Sequence, residues 1–259
     1  MVTSYKQGLA PHIRTERSVP SILWLTALAL TPVLGAAVAA NAWNSLRLIG
    51  VAVSASLVSE VLARTARGKN ISLKSGDAVL TGLLVALMLP ASAPSWAAAL
   101  TSAIAVILIK EMFGGPGAYP LHAAVAGRVL MQVSFPLAIE GGAIGFGSPV
   151  GLFLGAGILV GFRLIRWEVP VIFLGVYALL STDIGGGALF AAFFLITDPV
   201  TTPQTRRGLR FFAMGTAVMA VLLGEVMRHS DGIFMAVLVM NGLTPWFDQI
   251  VRPRNAKVL

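Results

Sequence analysis

Apolar residues run through this chain in long blocks, and polar residues are confined to the gaps. Ten blocks stand out, at 21–40, 46–63, 77–91, 95–112, 121–136, 148–164, 169–182, 185–197, 208–227 and 232–248. A helix needs roughly 20 apolar residues to cross about 30 Å of hydrocarbon, so the longer blocks predict membrane-spanning helices. The blocks at 77–91 and 185–197 are too short for simple crossings and run into Pro90 and Pro199. Interrupted helices survive in a bilayer only where protein covers their open backbone groups. The pattern predicts an all-α polytopic membrane protein of about ten transmembrane helices.

The two interrupted blocks resemble each other. Thr81–Pro94 matches Ala188–Pro203 in outline, and both are preceded by Gly and Asp, in Ser75-Gly76-Asp77 and Asp183-Ile184-Gly185-Gly186-Gly187. Each is followed by an apolar block, a Gly-containing turn (Gly114–Gly117; Ser230–Gly232) and a final block. Five spans per half is an odd number, so the second half must lie upside down relative to the first. The expected organisation is a cytoplasmic tail at 1–20, a first five-helix repeat at 21–136, a short extracytoplasmic connection at 137–147, a second repeat at 148–248 and a cytoplasmic tail at 249–259. Inverted repeats place their sites near the midplane, at the breaks in discontinuous helices.

Composition supports a bilayer environment: 56% of residues are hydrophobic, 12% are charged, and the mean hydropathy is +0.83. Soluble domains carry about 25% charged residues. A pI near 10.6 suggests nucleic acid at first sight, but the basic residues sit in short runs between apolar blocks, which is a topogenic pattern. With the N-terminus inside, sixteen of the nineteen lysines and arginines fall on the cytoplasmic side. Only Arg47 and Arg228 lie opposite, and Arg128 lies within a span. Both termini are therefore expected on the cytoplasmic side of the membrane. The first twenty residues lack an apolar run ending in a small-residue cleavage site, so no signal peptide is indicated.

No cysteine is present. That excludes disulfides, a cluster ligated by this chain, Cys-type zinc sites and c-type haem attachment. Three histidines (His12, His122 and His229) are few, so any redox cofactor is expected to be organic. No metal site and no catalytic residue is assigned.

The richest polar stretch is Thr197-Asp198-Pro199-Val200-Thr201-Thr202-Pro203. Asp198 either caps a neighbouring helix, as a helix stop before span nine, or joins the hydroxyls in binding a polar ligand or cation. Phe113-Gly114-Gly115-Pro116-Gly117 either makes a tight turn or lets backbone approach a ligand. Arg128 needs an anion or a wet cavity, because an unpaired charge in hydrocarbon is costly; Glu225, Glu60 and Asp77 are its candidate partners. The Phe190–Phe194 and Phe211–Met219 clusters read as packing, and the five tryptophans as interfacial anchors.

Together these motifs resemble the RnfD membrane subunit of Rnf ferredoxin:NAD⁺ oxidoreductase complexes and, more distantly, the NqrB membrane subunit of the sodium-pumping NADH:quinone reductase. The resemblance covers nearly the whole chain. In the first half it rests on Ala10-Pro11-His12, Leu80-Thr81-Gly82-Leu83-Leu84 with Leu89-Pro90, Lys110-Glu111-Met112-Phe113-Gly114-Gly115 and Val133-Ser134-Phe135-Pro136. In the second it rests on Ile165-Arg166-Trp167, Thr197-Asp198-Pro199-Val200-Thr201, Ser230-Asp231-Gly232 and Met240-Asn241-Gly242-Leu243-Thr244-Pro245. It implies ten spans as two inverted five-helix repeats, similar to urea transporters. It also implies flavin (FMN or riboflavin), partner subunits carrying iron–sulfur clusters and flavin, and coupling of electron transfer to H⁺ or Na⁺ translocation.

One departure bears on the cofactor. Such proteins usually hold FMN on a threonine in a longer segment after the Ser-Phe-Pro motif, whereas this chain has no threonine between Thr101 and Thr182. The flavin is therefore expected to be non-covalent, at Gly114, Gly115 and Gly117 in one half and Thr197, Asp198 and Thr201 in the other. The replacement Ala118-Tyr119-Pro120-Leu121-His122-Ala123 after the glycine turn also departs from the family's pattern. Arg128, Glu225, Asp231 and Asn241 are candidates for an ion path. A stand-alone channel for a small polar solute is the rival from another class, and a scaffold that only holds redox subunits is a third.

Overall fold

The computed structural model describes residues 18–69, 75–181, 184–227 and 229–251. Most of the two tails, Asp183, and the basic residues Lys6, Arg14, Arg17, Lys74, Arg228, Arg252, Arg254 and Lys257 lie outside the described residues, as does His12. Within them the regular elements are helical: α1 (Val19–Ala29), α2 (Thr31–Ala66), α3 (Asp77–Leu87), α4 (Ser95–Ala103), α5 (Ala123–Ser134), α6 (Pro149–Gly161), α7 (Glu168–Leu180), α8 (Gly186–Phe190), α9 (Arg206–Val226) and α10 (His229–Val251). Two continue as π-helix, α4 through Ile104–Glu111 and α8 through Ala191–Leu195.

Two runs are long and apolar enough to cross a membrane by length and composition, Val19–Ala66 and Arg206–Val226. The first is not a single rod. Asn41 (φ −131°, ψ 19°) and Ala42 (φ 24°, ψ −100°) leave helical geometry, and the Ser45 hydroxyl donates to the Ala37 carbonyl at 2.8 Å. Residues eight apart on a straight helix are separated by about 12 Å along its axis. The chain therefore bends sharply back at 41–42, in the gap between the first two apolar blocks.

The short helices α3 and α8 end where prolines remove donors, and other parts of the chain take up the carbonyls left open. Past α3, Met88 O accepts from Arg128 Nε at 3.1 Å, Leu89 O from the Ile144 N–H at 2.9 Å and Ala93 O from Arg47 at 2.8 Å. Past α8, the Thr244 hydroxyl of α10 donates to Thr201 O at 2.9 Å, while the Thr197 hydroxyl closes the end locally by donating to Phe193 O at 2.6 Å. Such coverage is what an interrupted helix in hydrocarbon requires. The start of α8 lies so close to the turn at Ile144–Phe146 that a Cβ on Gly186 would sit 2.0 Å from Phe146 O. Only glycine fits there.

Around this centre the outer helices expose large apolar side chains, Leu62, Val150, Val171, Leu179 and Leu222 among them, each more than half exposed. A contiguous apolar exterior is unfavourable in water and suits lipid. The protein is an all-α membrane protein. The tryptophans Trp43, Trp96, Trp167 and Trp246 are at least half exposed, as interfacial anchors should be.

Asp198 does not cap the next helix, contrary to one expectation. The N-cap of α9 is Thr205, whose hydroxyl oxygen accepts the Gly208 N–H at 3.2 Å. Asp248 of α10 in turn accepts from the backbone N–H groups of Gln204 and Thr205 and from the Thr205 hydroxyl. Thr205→Ala should cost about 1 kcal/mol, read as a lowered midpoint of thermal unfolding in detergent. No measurable change would remove Thr205 from this role.

Candidate functional site

A narrow cavity opens between α3, the start of α5 and the end of α8. Its polar lining is Thr26, Asp77, Thr81, Tyr119, His122, Thr197 and Asp198, and its walls include Leu84, Leu159, Phe193 and Phe194. Its volume is about 60 Å³, enough for a few waters or one small ion.

Asp198 comes to this wall because α8 stops one turn before Pro199. Its carboxylate accepts from the Val200 N–H at 3.3 Å and the Thr201 hydroxyl at 3.1 Å, while its carbonyl accepts from the Thr202 hydroxyl at 2.7 Å. These bonds fix the side chain without neutralising it. Among the described residues no cation is within ion-pair distance of Asp198.

Asp77, at the first position of α3, is 3% exposed, and its Oδ2 lies 2.8 Å from Nζ of a wholly buried Lys110. Lys110 and Glu111 are consecutive, and both are buried where the π-helix ends. Glu111 binds Arg64 Nε at 3.3 Å and Arg67 at 3.0 Å, and Arg64 also pairs with Glu60. Three carboxylates and three cations thus gather between α2, α3 and the π-helical end of α4. Counting lysines and arginines as loop charges missed this. Arg128 is not the one buried basic residue, since Lys110 and Arg64 are buried too. The signal available was position: Lys110 lies within the last apolar block before the glycine turn.

The glycine turn itself uses backbone conformations closed to other residues, with φ of 124°, 104° and 82° at Gly114, Gly115 and Gly117. The Lys69 ammonium donates to Gly114 O at 3.3 Å. None of the three glycines lines the cavity; the turn instead carries Tyr119 and His122 into it. The sets Gly114, Gly115, Gly117 and Thr197, Asp198, Thr201 are therefore not brought into one pocket. Thr201 is buried against Asp198.

Arg128 finds a partner outside the three expected from sequence. Its guanidinium pairs with Asp231 at 2.9 Å, donates to Gln132 at 2.6 Å and to Met88 O, and stands 5.4 Å over the Phe234 ring. Glu225, Glu60 and Asp77 are corrected as its partners: α5 packs against α10, which begins beside Asp231. Glu225 is exposed near the end of α9. Asn241 is 1% exposed on α10, with neither amide atom hydrogen-bonded among the described residues.

A row of rings separates the cavity from this ion pair. Phe194 on the cavity wall is 5.5 Å from Phe190, Phe190 is 5.7 Å from Phe146, and Phe146 is 5.9 Å from Phe234. The polar regions at the two breaks are thus divided by packed aromatics.

Known proteins are similar to this chain along most of its length. The family model described as NQR2, RnfD, RnfE matches residues 7–141 and 137–257. The D subunit of the proton-translocating ferredoxin:NAD(+) oxidoreductase complex of Clostridium ljungdahlii is 28% identical, over 94% of this chain and 93% of its own length. Its Na(+)-translocating counterpart from Acetobacterium woodii is 26% identical, over 95% and 93%. The D subunit of the ion-translocating oxidoreductase complex of Marinobacter nauticus is 26% identical, over 96% and 94%. These alignments span 309, 295 and 330 positions, more than the 259 residues here, so the relatives carry additional segments.

Proposed function

The chain belongs to the NQR2, RnfD, RnfE family, and on that premise we propose that it is the RnfD-type membrane subunit of an ion-translocating ferredoxin:NAD⁺ oxidoreductase complex. It acts as one subunit of that enzyme, beside iron–sulfur and flavin subunits in a bacterial inner membrane with both termini cytoplasmic. Its own part is to hold the translocated cation. The observation that carries this is Asp198: a carboxylate fixed at a helix break, facing a cavity of ion size, with no cation of its own among the described residues. A charge so placed in low dielectric calls for a counter-ion.

Two inverted five-helix repeats form the frame. The bend at Asn41–Ala42 divides the first run into two crossings, and α3–α10 supply the other eight. The interrupted helices α3 and α8 are the third of each half. The two breaks are treated alike, which supports the inversion. Each is hydrogen-bonded by the fifth helix of its own half, Arg128 to Met88 O and Thr244 to Thr201 O. Each also meets the start of the other half's fifth helix, through Asp231 at one break and His122 at the other.

Flavin is the cofactor that the family resemblance implies. Thr197, Asp198 and Thr201 do not fit it, because their polar atoms are committed to one another and to the backbone, and the cavity is too small for a three-ring isoalloxazine. The glycine turn fits better. Gly117 has open space around it, and the neighbouring Met112 and Phe113 are 70% and 52% exposed. Gly114, Gly115 and Gly117 would hold a non-covalent flavin through their backbone, and a bound flavin supplies one- and two-electron transfer. Residues 102–181 contain no threonine, so the intact chain should show its bare mass; added FMN would overturn that expectation.

The function is tested by affinity purification from the native membrane. Iron–sulfur and flavin subunits should co-purify, with flavin absorbance and ferredoxin-driven ion uptake. A colourless, solitary protein that passes a polar solute would sink the proposal in favour of a stand-alone channel.

A further inference from the structure

Asp77 and Asp198 face the same cavity from opposite halves of the chain, each at an interrupted helix. Their partners differ. Asp198 holds only hydroxyl and amide donors, whereas Asp77 has the Lys110 ammonium at 2.8 Å. Among the described residues, the other charged or titratable groups near the pair include Glu60 and Arg64 on α2, Glu111 beside Lys110, and Tyr119 and His122 leading into α5. Glu60, Asp77 and Glu111 are balanced in charge by Arg64, Arg67 and Lys110. His122 Nδ1 accepts the Val125 N–H, which leaves its proton on Nε2 and the ring neutral. Among the charged side chains that line the cavity in the described residues, Asp198 is thus the one carboxylate without a paired cation.

We propose that Lys110 is a tethered counter-cation that sets the ion occupancy and affinity of this cavity. Its ammonium carries the charge of a monovalent cation and fills the place at Asp77 that a mobile ion would otherwise take. One of the two carboxylates is thereby permanently neutralised, and the other is left for a single translocated ion. Lys110 does not touch that ion. It acts at a distance by repulsion, which keeps the ion from binding too tightly to leave, a condition of any conducting site. Relatives of similar identity are named for H⁺ in one case and Na⁺ in another, so a residue that tunes affinity for a unit charge acts on either.

The inference rests on the reading that the translocated cation occupies the Asp198 cavity. It is tested on the assembled complex with Lys110→Met, Asp77→Asn and the double variant. The readout is ferredoxin-to-NAD⁺ activity titrated with Na⁺ at fixed pH, and with protons in the absence of Na⁺. Lys110→Met adds a net negative charge and should lower the half-activating cation concentration roughly tenfold, and Asp77→Asn should raise it by a similar factor. The double variant restores the net charge and should return to within about threefold of the parent. Opposite shifts with recovery cannot come from structural damage, which would impair both single variants alike.

Removing one partner of a buried pair threatens folding, whereas removing both does not. If Lys110→Met fails to assemble, the Asp77→Asn shift and its reversal in the double variant carry the test. Single variants that assemble with unchanged or same-direction affinities would overturn the role of Lys110. A parent complex activated by neither Na⁺ nor protons would instead overturn the ion site itself, and this inference with it.

Discussion

Replacing Asp198 with Asn should abolish ion uptake by the assembled complex while leaving the subunit folded. The substitution keeps the shape of the side chain and one acceptor oxygen for the Val200 N–H or the Thr201 hydroxyl, so the turn at 197–203 loses at most one weak bond. What it removes is charge. A carboxylate about 4 Å from a monovalent cation, at an effective dielectric near 20, contributes about 4 kcal/mol. Each 1.4 kcal/mol is about tenfold in affinity, so even half that value predicts a loss of roughly thirtyfold. The measurement is ion uptake per electron into proteoliposomes, driven by reduced ferredoxin and NAD⁺. Uptake within twofold of the parent would sink the assignment of Asp198 and favour a role as scaffold.

The second large effect is on stability. Arg128→Ala should destabilise the chain by about 3–5 kcal/mol, because it breaks a buried ion pair by removing one member. It also strips Met88 O and Gln132 of a donor. Asp231→Ala should cost a similar amount by stranding the guanidinium. The double variant should cost clearly less than the sum, since residues in one ion pair are not additive. Unfolding of the three variants in detergent, followed by denaturant titration, gives the coupling directly. Strict additivity would mean that the 2.9 Å pair between α5 and α10 does not hold the halves together.

How much of this could be read from sequence depends on the range of each interaction. The interruptions at Pro90 and Pro199 were legible, because a missing N–H acts on its own helix. The first two apolar blocks were separable for the same reason, and the bend falls in their gap. The partner of Arg128 was not legible, since it lies 103 residues away and nothing local distinguishes Asp231 from Glu225. The burial of Lys110 was hidden by a sound rule applied at its limit: basic residues at block ends usually reach the interface, but here the π-helical end of α4 turns this one towards Asp77. The Asp198 motif stood out as the richest polar stretch, yet the capping role it suggested belongs to Thr205 and Asp248, which only the contact between α10 and the start of α9 reveals.

The segment joining the halves has a mechanical consequence. Ile144 bonds back to Leu89, Ala143 pairs with Pro90, and Phe146 closes over Gly186. The linker is thus riveted to the tips of both interrupted helices. Swinging one half against the other, as rocking transporters do, would tear out these contacts at both tips together. On the proposed role of Asp198, ions would therefore cross a stationary frame, admitted by rotation of side chains such as Phe190 and Phe194, in the manner of a gated pore.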